Sequence, residues 1–282
     1  MDTRSLPLVR FADGVAVPAL GLGTWHMGER KRDRTHEIAA IRAGVDLGMT
    51  LIDTAEMYAD GGAESMVGEA IGDRRDEVFL VSKVYPHNAG TKAAVAACER
   101  SLARLRTDRL DLYLLHWRGR VPLAETVDAF ERLTRAGKIR RWGVSNFGAA
   151  DMAELGRVPG GEHCATNQVL YHLRERGTEW HLLPAMRAQK MPVMAYSPLA
   201  QGALASDTRL ARLARRAGCT AAQLALAWLV AQRDVIVIAK SSDVEHVRGN
   251  RAAVDVVVDD EMRAALDAAF PPPAGERPLA IL

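Results

Sequence analysis

The stretch "ALGLGTWHMG", residues 19–28, decides which kind of α/β fold is open to this chain. It starts as a short apolar strand and turns through closely spaced glycines. A doubly wound dinucleotide-binding sheet would carry G-x-G-x-x-G here, so that the backbone can approach a pyrophosphate at a helix N-terminus. Gly21 and Gly23 have the first spacing, but the third position is His26 and the next glycine is Gly28. The fingerprint fails, which weakens the doubly wound reading.

Downstream of this stretch one unit repeats: a short apolar run, a loop, then an amphipathic segment. After "ALGLGTW" (19–25) come "TLIDT" (50–54), "VFLVSK" (78–83), "LDLYLLH" (110–116), "RWGVSN" (141–146), "ATNQV" (165–169), "PVMAYS" (192–197) and "VIVIAK" (235–240). Each run is nearly continuous, as expected of parallel strands covered on both faces. Between them, "TKAAVAACERSLARL" sets Val95, Cys98, Leu102 and Leu105 on one helical face, and "TAAQLALAWLVAQ" (220–232) predicts a close-packed helix. Eight strands alternating with helices over about 250 residues is the pattern of a (β/α)₈ TIM barrel. "LVRFADGVAVPAL" precedes the first strand, with the turn signal Asp13-Gly14, and predicts an N-terminal β-hairpin. The C-terminal tail "PPPAGERPLAIL" is too rich in proline for a helix and is expected on the surface as a lid. No Pro/Gly/Ser-rich linker divides the chain, so residues 1–282 are read as one α/β domain.

Composition narrows the function. The chain has 37 Lys plus Arg against 35 Asp plus Glu, a net charge of +2, which gives no electrostatic reason to expect a nucleic-acid partner. "MDTRSLPLVRF" lacks the apolar run of a signal peptide, and no segment reaches the length of a membrane span. Cys98, Cys164 and Cys219 are far apart and form no C-x-x-C pair, so neither disulfides nor a zinc site is expected. A reduced, cytoplasmic setting and a monomer are the expectations that follow. His87 and His172 are read as surface histidines, Glu56 as a solvated loop charge.

In a barrel of this kind the chemistry sits at the carboxyl ends of the strands. The polar strand-end groups here are Trp25, Asp53, Lys83, His116, Ser145, Asn146, Gln168, Tyr196, Ser197 and Lys240. A strand has to stop somewhere, and for any one of these a plain strand end is the simpler reading. Asp53, Tyr58, Lys83 and His116 together are harder to dismiss, because ionisable groups crowded at one buried edge need each other as partners. They also compose a chemistry. A phenol ionises near pH 10; an ammonium beside it favours phenolate, a carboxylate behind the ammonium keeps it charged, and a histidine orients the substrate oxygen. Such a set delivers a proton to a carbonyl oxygen as hydride reaches the carbonyl carbon.

The segments "GLGTW", "IDTAEMY", "VSKVY", "LLHW", "GVSNF", "NQVLYH", "AYSPLAQG" and "IAKSSDVEHVRGN", in this order and spacing, resemble the aldo-keto reductase superfamily. "TWHMGE", "EMYADGGAE" and "VYPHNAG" are similar to bacterial members that reduce methylglyoxal and other short aldehydes. The resemblance implies Tyr58 as general acid, Lys83 as its partner, Asp53 behind it and His116 as the group orienting the carbonyl. It implies NADPH, with Tyr196 stacking on the nicotinamide and Ser145, Asn146 and Gln168 binding its carboxamide. Gly23, Thr24, Trp25 and Asp53 would lie along the cofactor, with Ser197, Leu199, Gln201 and Gly202 passing over the pyrophosphate. Lys240, Ser241 and Ser242 would grip the 2′-phosphate, and Asn250 the adenine. Trp25, Tyr85, His116 and Trp117 would wall the substrate pocket.

One position departs from the family pattern. Many members carry an arginine six residues after the lysine, where this chain has His246. An imidazole holds phosphate less firmly than a guanidinium fork. Arg248 lies two helical residues further on, turned away by about 200°. Two other functions stay open at this point: a Schiff-base aldolase or lyase using Lys83, and a barrel that binds NADPH and reports redox state to a partner.

Overall fold

The computed structural model describes residues 5–282, in which the eight apolar runs become eight parallel strands that close on themselves. A hairpin comes first, β1 (Leu8–Arg10) and β2 (Ala16–Pro18), paired antiparallel with Val9 opposite Val17. The barrel strands are β3 (Leu20–Gly23), β4 (Leu51–Asp53), β5 (Phe79–Val84), β6 (Leu112–Leu115), β7 (Trp142–Ser145), β8 (Asn167–Leu170), β9 (Val193–Tyr196) and β10 (Val235–Lys240). Each pairs in parallel with its neighbour in sequence, and β10 returns to β3 through Lys240 opposite Gly23. The α/β barrel expected from the sequence is therefore the fold. Its helices are α1 (Arg34–Asp46), α2 (Gly62–Ile71), α3 (Thr91–Leu105), α4 (Leu123–Arg135), α5 (Ala149–Leu155), α6 (Leu182–Ala188), α7 (Thr208–Arg216), α8 (Ala221–Val230), α9 (Val244–Ala252) and α10 (Asp260–Ala269).

The reading of residues 1–11 as free of a signal peptide falls partly on residues 1–4, outside the described residues. Among the described residues no helix is long and apolar enough to cross a membrane.

Two apolar layers follow from the period-2 geometry of the strands. Ile52, Leu80, Val84, Tyr113, Leu115, Val144, Val169, Val193, Ala195, Val235 and Val237 point outward and pack beneath the helices. Leu51, Val81, Leu112, Leu114, Met194, Ile236 and Ile238 fill the interior together with Val9, Phe11, Val17 and Ala19. The hairpin is thus a plug. Phe11 stacks on Phe79, the first residue of β5, with ring centroids 5.5 Å apart, which puts the plug at the amino ends of the strands. The carboxyl ends are left for polar groups.

The helix expected from the alanine-rich stretch is α8, started by Thr220 and Gln223 in a reciprocal capping box. On α3 the buried face is Ala94, Ala97, Cys98, Ser101, Leu102 and Leu105, with Val95 only half-buried. Residues 271–282 form no helix or strand, as the prolines predicted; Leu279 packs against the core and the far end runs to the barrel mouth.

Candidate active site

Inward-facing parity decides which side chains meet. Two residues beyond interior Leu51, Val81, Leu114, Met194 and Ile238 stand Asp53, Lys83, His116, Tyr196 and Lys240. Each therefore leaves its strand end on the same inner face. Tyr58 arrives by another route. After β4 the chain turns through a 3₁₀ segment, Tyr58–Gly61, in which Ala59 and Asp60 take left-handed backbone with φ of 51°. Gly61 follows at φ 85°, left-handed backbone that favours glycine, and a Cβ there would push the Arg104 side chain aside. A turn just before this segment, with the Tyr58 amide donating to the Ala55 carbonyl at 3.1 Å, folds Tyr58 back over the mouth.

Lys83 is the hub. Its Nζ is fully buried and donates to Asp53 Oδ2 at 2.6 Å, to the Thr54 carbonyl at 3.0 Å and to the Tyr58 hydroxyl at 3.0 Å. Asp53 Oδ1 accepts from Gln168 Nε2 at 2.7 Å. Burial opposes the Lys83 charge, but Asp53 and Tyr58 outweigh it and the ammonium is held above its ordinary pKa. A fully hydrogen-bonded ammonium does not attack a carbonyl, so the geometry speaks against a Schiff-base lysine. For Tyr58 the expectation of a lowered pKa is corrected: burial raises it, Lys83 pulls the other way, and the net direction is up. The phenol is thus a protonated donor at neutral pH. The His116 ring stands 5.8 Å from the Tyr58 ring, edge-on, and burial with Lys83 nearby presses its pKa down to about 2. His116 is neutral, and its Nδ1 is buried without a hydrogen-bond partner among the described residues.

A second group of polar side chains continues round the rim. Asn146 takes left-handed backbone, φ 59°, and its Nδ2 donates to the His116 carbonyl at 3.1 Å and to Ser145 Oγ at 3.2 Å. Ser145 Oγ donates to the Gln168 carbonyl, and the Tyr196 hydroxyl donates to Asn146 Oδ1 at 2.9 Å. The Leu282 amide comes within 3.4 Å of that same hydroxyl, so the tail does reach over the mouth. Beyond β9, Ser197, Leu199, Gln201 and Gly202 lie on a partly exposed loop with positive φ at Ser197, Gln201 and Gly202. Lys240 is exposed, with Ser242 Oγ at 3.5 Å and no carboxylate partner among the described residues. Ser241 is buried and its hydroxyl bonds the Asp243 carbonyl. Asn250 is buried on α9. His246 is exposed, 3.9 Å from Asp243, and Arg248 lies beside Glu245 at 3.7 Å.

Some expectations change. Thr24 is fully buried with its hydroxyl committed to the Asp53 carbonyl at 3.0 Å, so it braces the end of β4 instead of facing the cleft. Gly23 is buried in the wall, where a Cβ would stand 2.9 Å from Ile238. Trp25 is exposed at the rim with its ring 4.9 Å from Tyr58. Tyr85 and Trp117 meet edge-on at 6.0 Å, beside His116. His172 is not a surface residue: it is buried, and burial lowers its pKa. Glu56 is not a solvated charge either. It is 8% exposed, and its Oε1 accepts from the Tyr85 amide at 2.8 Å and Asn88 Nδ2 at 3.1 Å. The sequence signal was there in its place between Asp53 and Tyr58, but a lone glutamate in a glycine-rich loop looks solvated until its partners are known. No group of three or more His, Cys, Asp or Glu able to hold a metal occurs among the described residues.

The chain is similar to known proteins along nearly its whole length. The profile of the Aldo/keto reductase family matches residues 19–270. Over 277 residues the chain is 53% identical to the protein named methylglyoxal reductase YeaE from Escherichia coli (strain K12), covering 96% of this chain and 98% of that one. An aldo/keto reductase from Klebsiella pneumoniae, solved in complex with NADP and acetate, superposes with a TM-score of 0.96 at 54% identity, covering 98% of this chain and all of the other. A Klebsiella pneumoniae aldo-keto reductase in complex with NADPH matches equally well, with a TM-score of 0.96 at 54% identity over 99% of this chain and 100% of that one.

Proposed function

Since this chain belongs to the aldo/keto reductase family, we propose that it is an NADPH-dependent oxidoreductase that reduces small aldehydes and ketones, methylglyoxal among them, to alcohols. The relative named for methylglyoxal reduction supports the substrate class, and the structures holding NADP and NADPH support the cofactor. One observation carries the reading: a buried Lys83 ammonium bridges Asp53 at 2.6 Å and Tyr58 at 3.0 Å at the open end of the barrel.

The rim residues fit a nicotinamide nucleotide. The half-buried Tyr196 ring offers a stacking face, and Ser145, Asn146 and Gln168 cluster beside it as carboxamide partners. The 197–202 loop presents backbone on which a pyrophosphate can lie, and Lys240 with Ser242 offers to a 2′-phosphate a hydroxyl and an ammonium that has no carboxylate partner among the described residues. When bound, NADPH supplies hydride. The chain's own part is proton delivery and charge stabilisation. Neutral His116 orients the carbonyl oxygen without adding net charge. Tyr58 gives its proton to that oxygen, and Lys83 offsets the charge left on the phenol. Asp53 and Gln168 hold Lys83 in place. We take residues 1–282 as one functional domain. Each barrel carries the whole proposed tetrad, which supports action as a monomer. Three free cysteines support a cytoplasmic setting, and the charge balance supports a function without nucleic acid or membrane.

The test is the loss of NADPH absorbance with methylglyoxal, run beside NADH. Wild-type protein is expected to turn over, and Tyr58→Phe to lose about a hundred- to ten-thousand-fold in kcat. A Tyr58→Phe protein with near-normal kcat would remove the acid assignment. Equal rates with both nucleotides would overturn the cofactor preference that His246 already tempers.

A further inference from the structure

Glu56 is a buried carboxylate at this end of the barrel that the proton-delivery scheme leaves unused, and its closest contacts run to one segment. Its amide donates to the Lys83 carbonyl at 3.3 Å, and its Oε1 accepts from the Tyr85 amide and from Asn88 Nδ2. Arg100 approaches its Oε2 at 3.9 Å. Glu56 thus ties the arm that carries Tyr58 to the segment just past Lys83. That segment, Tyr85 followed by the 3₁₀ turn Pro86–Asn88, sets Tyr85 edge-on to Trp117 and 4.7 Å from His87. No ladder partner holds this stretch, because β5 ends at Val84.

From this we infer that Glu56 is a positioning residue for the reduction proposed above: its carboxylate oxygen fixes the Tyr85–Asn88 wall of the substrate pocket relative to the Tyr58 arm. The inference rests on that reading. A carboxylate accepting two N–H groups in a buried site makes stronger hydrogen bonds than neutral partners do. Losing it frees the wall by enough to cost substrate positioning, while the Lys83–Tyr58 bond, made by other atoms, survives. The effect should therefore fall on substrate KM more than on kcat, and not on the cofactor, because Glu56's partners Lys83, Tyr85, Asn88 and Arg100 are not among the proposed cofactor contacts.

Three variants separate position from charge. Glu56→Gln keeps an acceptor oxygen at the same reach; Glu56→Asp keeps the charge but falls about one methylene short; Glu56→Ala loses both. The expectation is a KM for methylglyoxal raised about tenfold in Glu56→Asp and Glu56→Ala. Recovery to within about threefold is expected in Glu56→Gln, with the pH profile of kcat unchanged in all three. The affinity for NADPH, read from quenching of protein fluorescence, should match wild type. Should Glu56→Ala fail to fold, the contrast between Glu56→Asp and Glu56→Gln decides alone. A Glu56→Asp protein with wild-type KM, or a Glu56→Gln protein as impaired as Glu56→Asp, overturns the inference. A wild-type protein that reduces no carbonyl overturns the proposed function instead, and the inference with it.

Discussion

His116 shows how burial sets chemistry at the scale of one residue. The unperturbed imidazole titrates near 6.5, yet here burial and the Lys83 charge hold it near 2. The sign of its effect on stability follows. Below about pH 6.5 the unfolded chain takes up a proton that the folded chain refuses, so the contribution is complete above that pH and drains away as pH falls toward 2. A His116→Gln protein should lose less stability than wild type between pH 6.5 and pH 4, by up to about 1.4 kcal/mol per pH unit. Urea melts at several pH values measure it, and parallel slopes would show that His116 is not the group responsible. Residue type and place singled out Asp53, Lys83, Tyr58 and His116 in the sequence, and the structure brings these four side chains together. The direction of the Tyr58 shift was not, because a charge partner was visible in the sequence and the depth of burial opposing it was not. Glu56 and His172 were misread for the same reason: a polar letter in a loop says nothing of the walls that later close on it.

Strands carried most of the legible information at the scale of elements. All eight apolar runs became barrel strands, because a buried parallel strand needs apolar residues on both faces and few segments can supply them. Their ends shifted by a residue or two, where the ladder and not composition decides. The hairpin was announced by Asp13-Gly14, and Gly14 does take positive φ, 87°, while Asp13 Oδ1 accepts from the Val15 amide at 3.0 Å. Its role as a plug was not announced. Phe11 is buried against Phe79, with the Arg141 guanidinium 5.5 Å from its ring centroid. Phe11→Ala should cost about 3 kcal/mol or more and lower the melting temperature by on the order of 10 °C. Since the plug and the proposed site lie at opposite ends of the barrel, turnover at 25 °C should stay within about twofold of wild type. Calorimetry and an aldehyde assay on the same sample check both halves; a matching loss of rate would mean that the two ends are coupled.

The tail matters at the scale of the whole molecule. Residues 271–282 leave α10 without forming an element, anchor through Leu279, and bring the Leu282 amide to 3.4 Å from the Tyr196 hydroxyl. That contact is weak and surface-exposed, so deleting residues 280–282, which leaves the Leu279 anchor in place, should keep the melting temperature within about 3 °C of wild type. It should change KM for bulky aldehydes more than for methylglyoxal, because a lid restricts large ligands first; equal KM ratios for both would mean that the tail does not border the pocket. The sequence by itself determined the fold class, the hairpin and the residue types at each strand end, since alternation and burial are local properties written in runs of a few letters. Only tertiary structure decided which of those ends meet. Barrel closure is what brings Asp53 within reach of Gln168, 115 positions away, and what turns a loop glutamate into a buried clamp on Tyr85. Such pairings depend on strand register and depth of burial, which no short stretch contains.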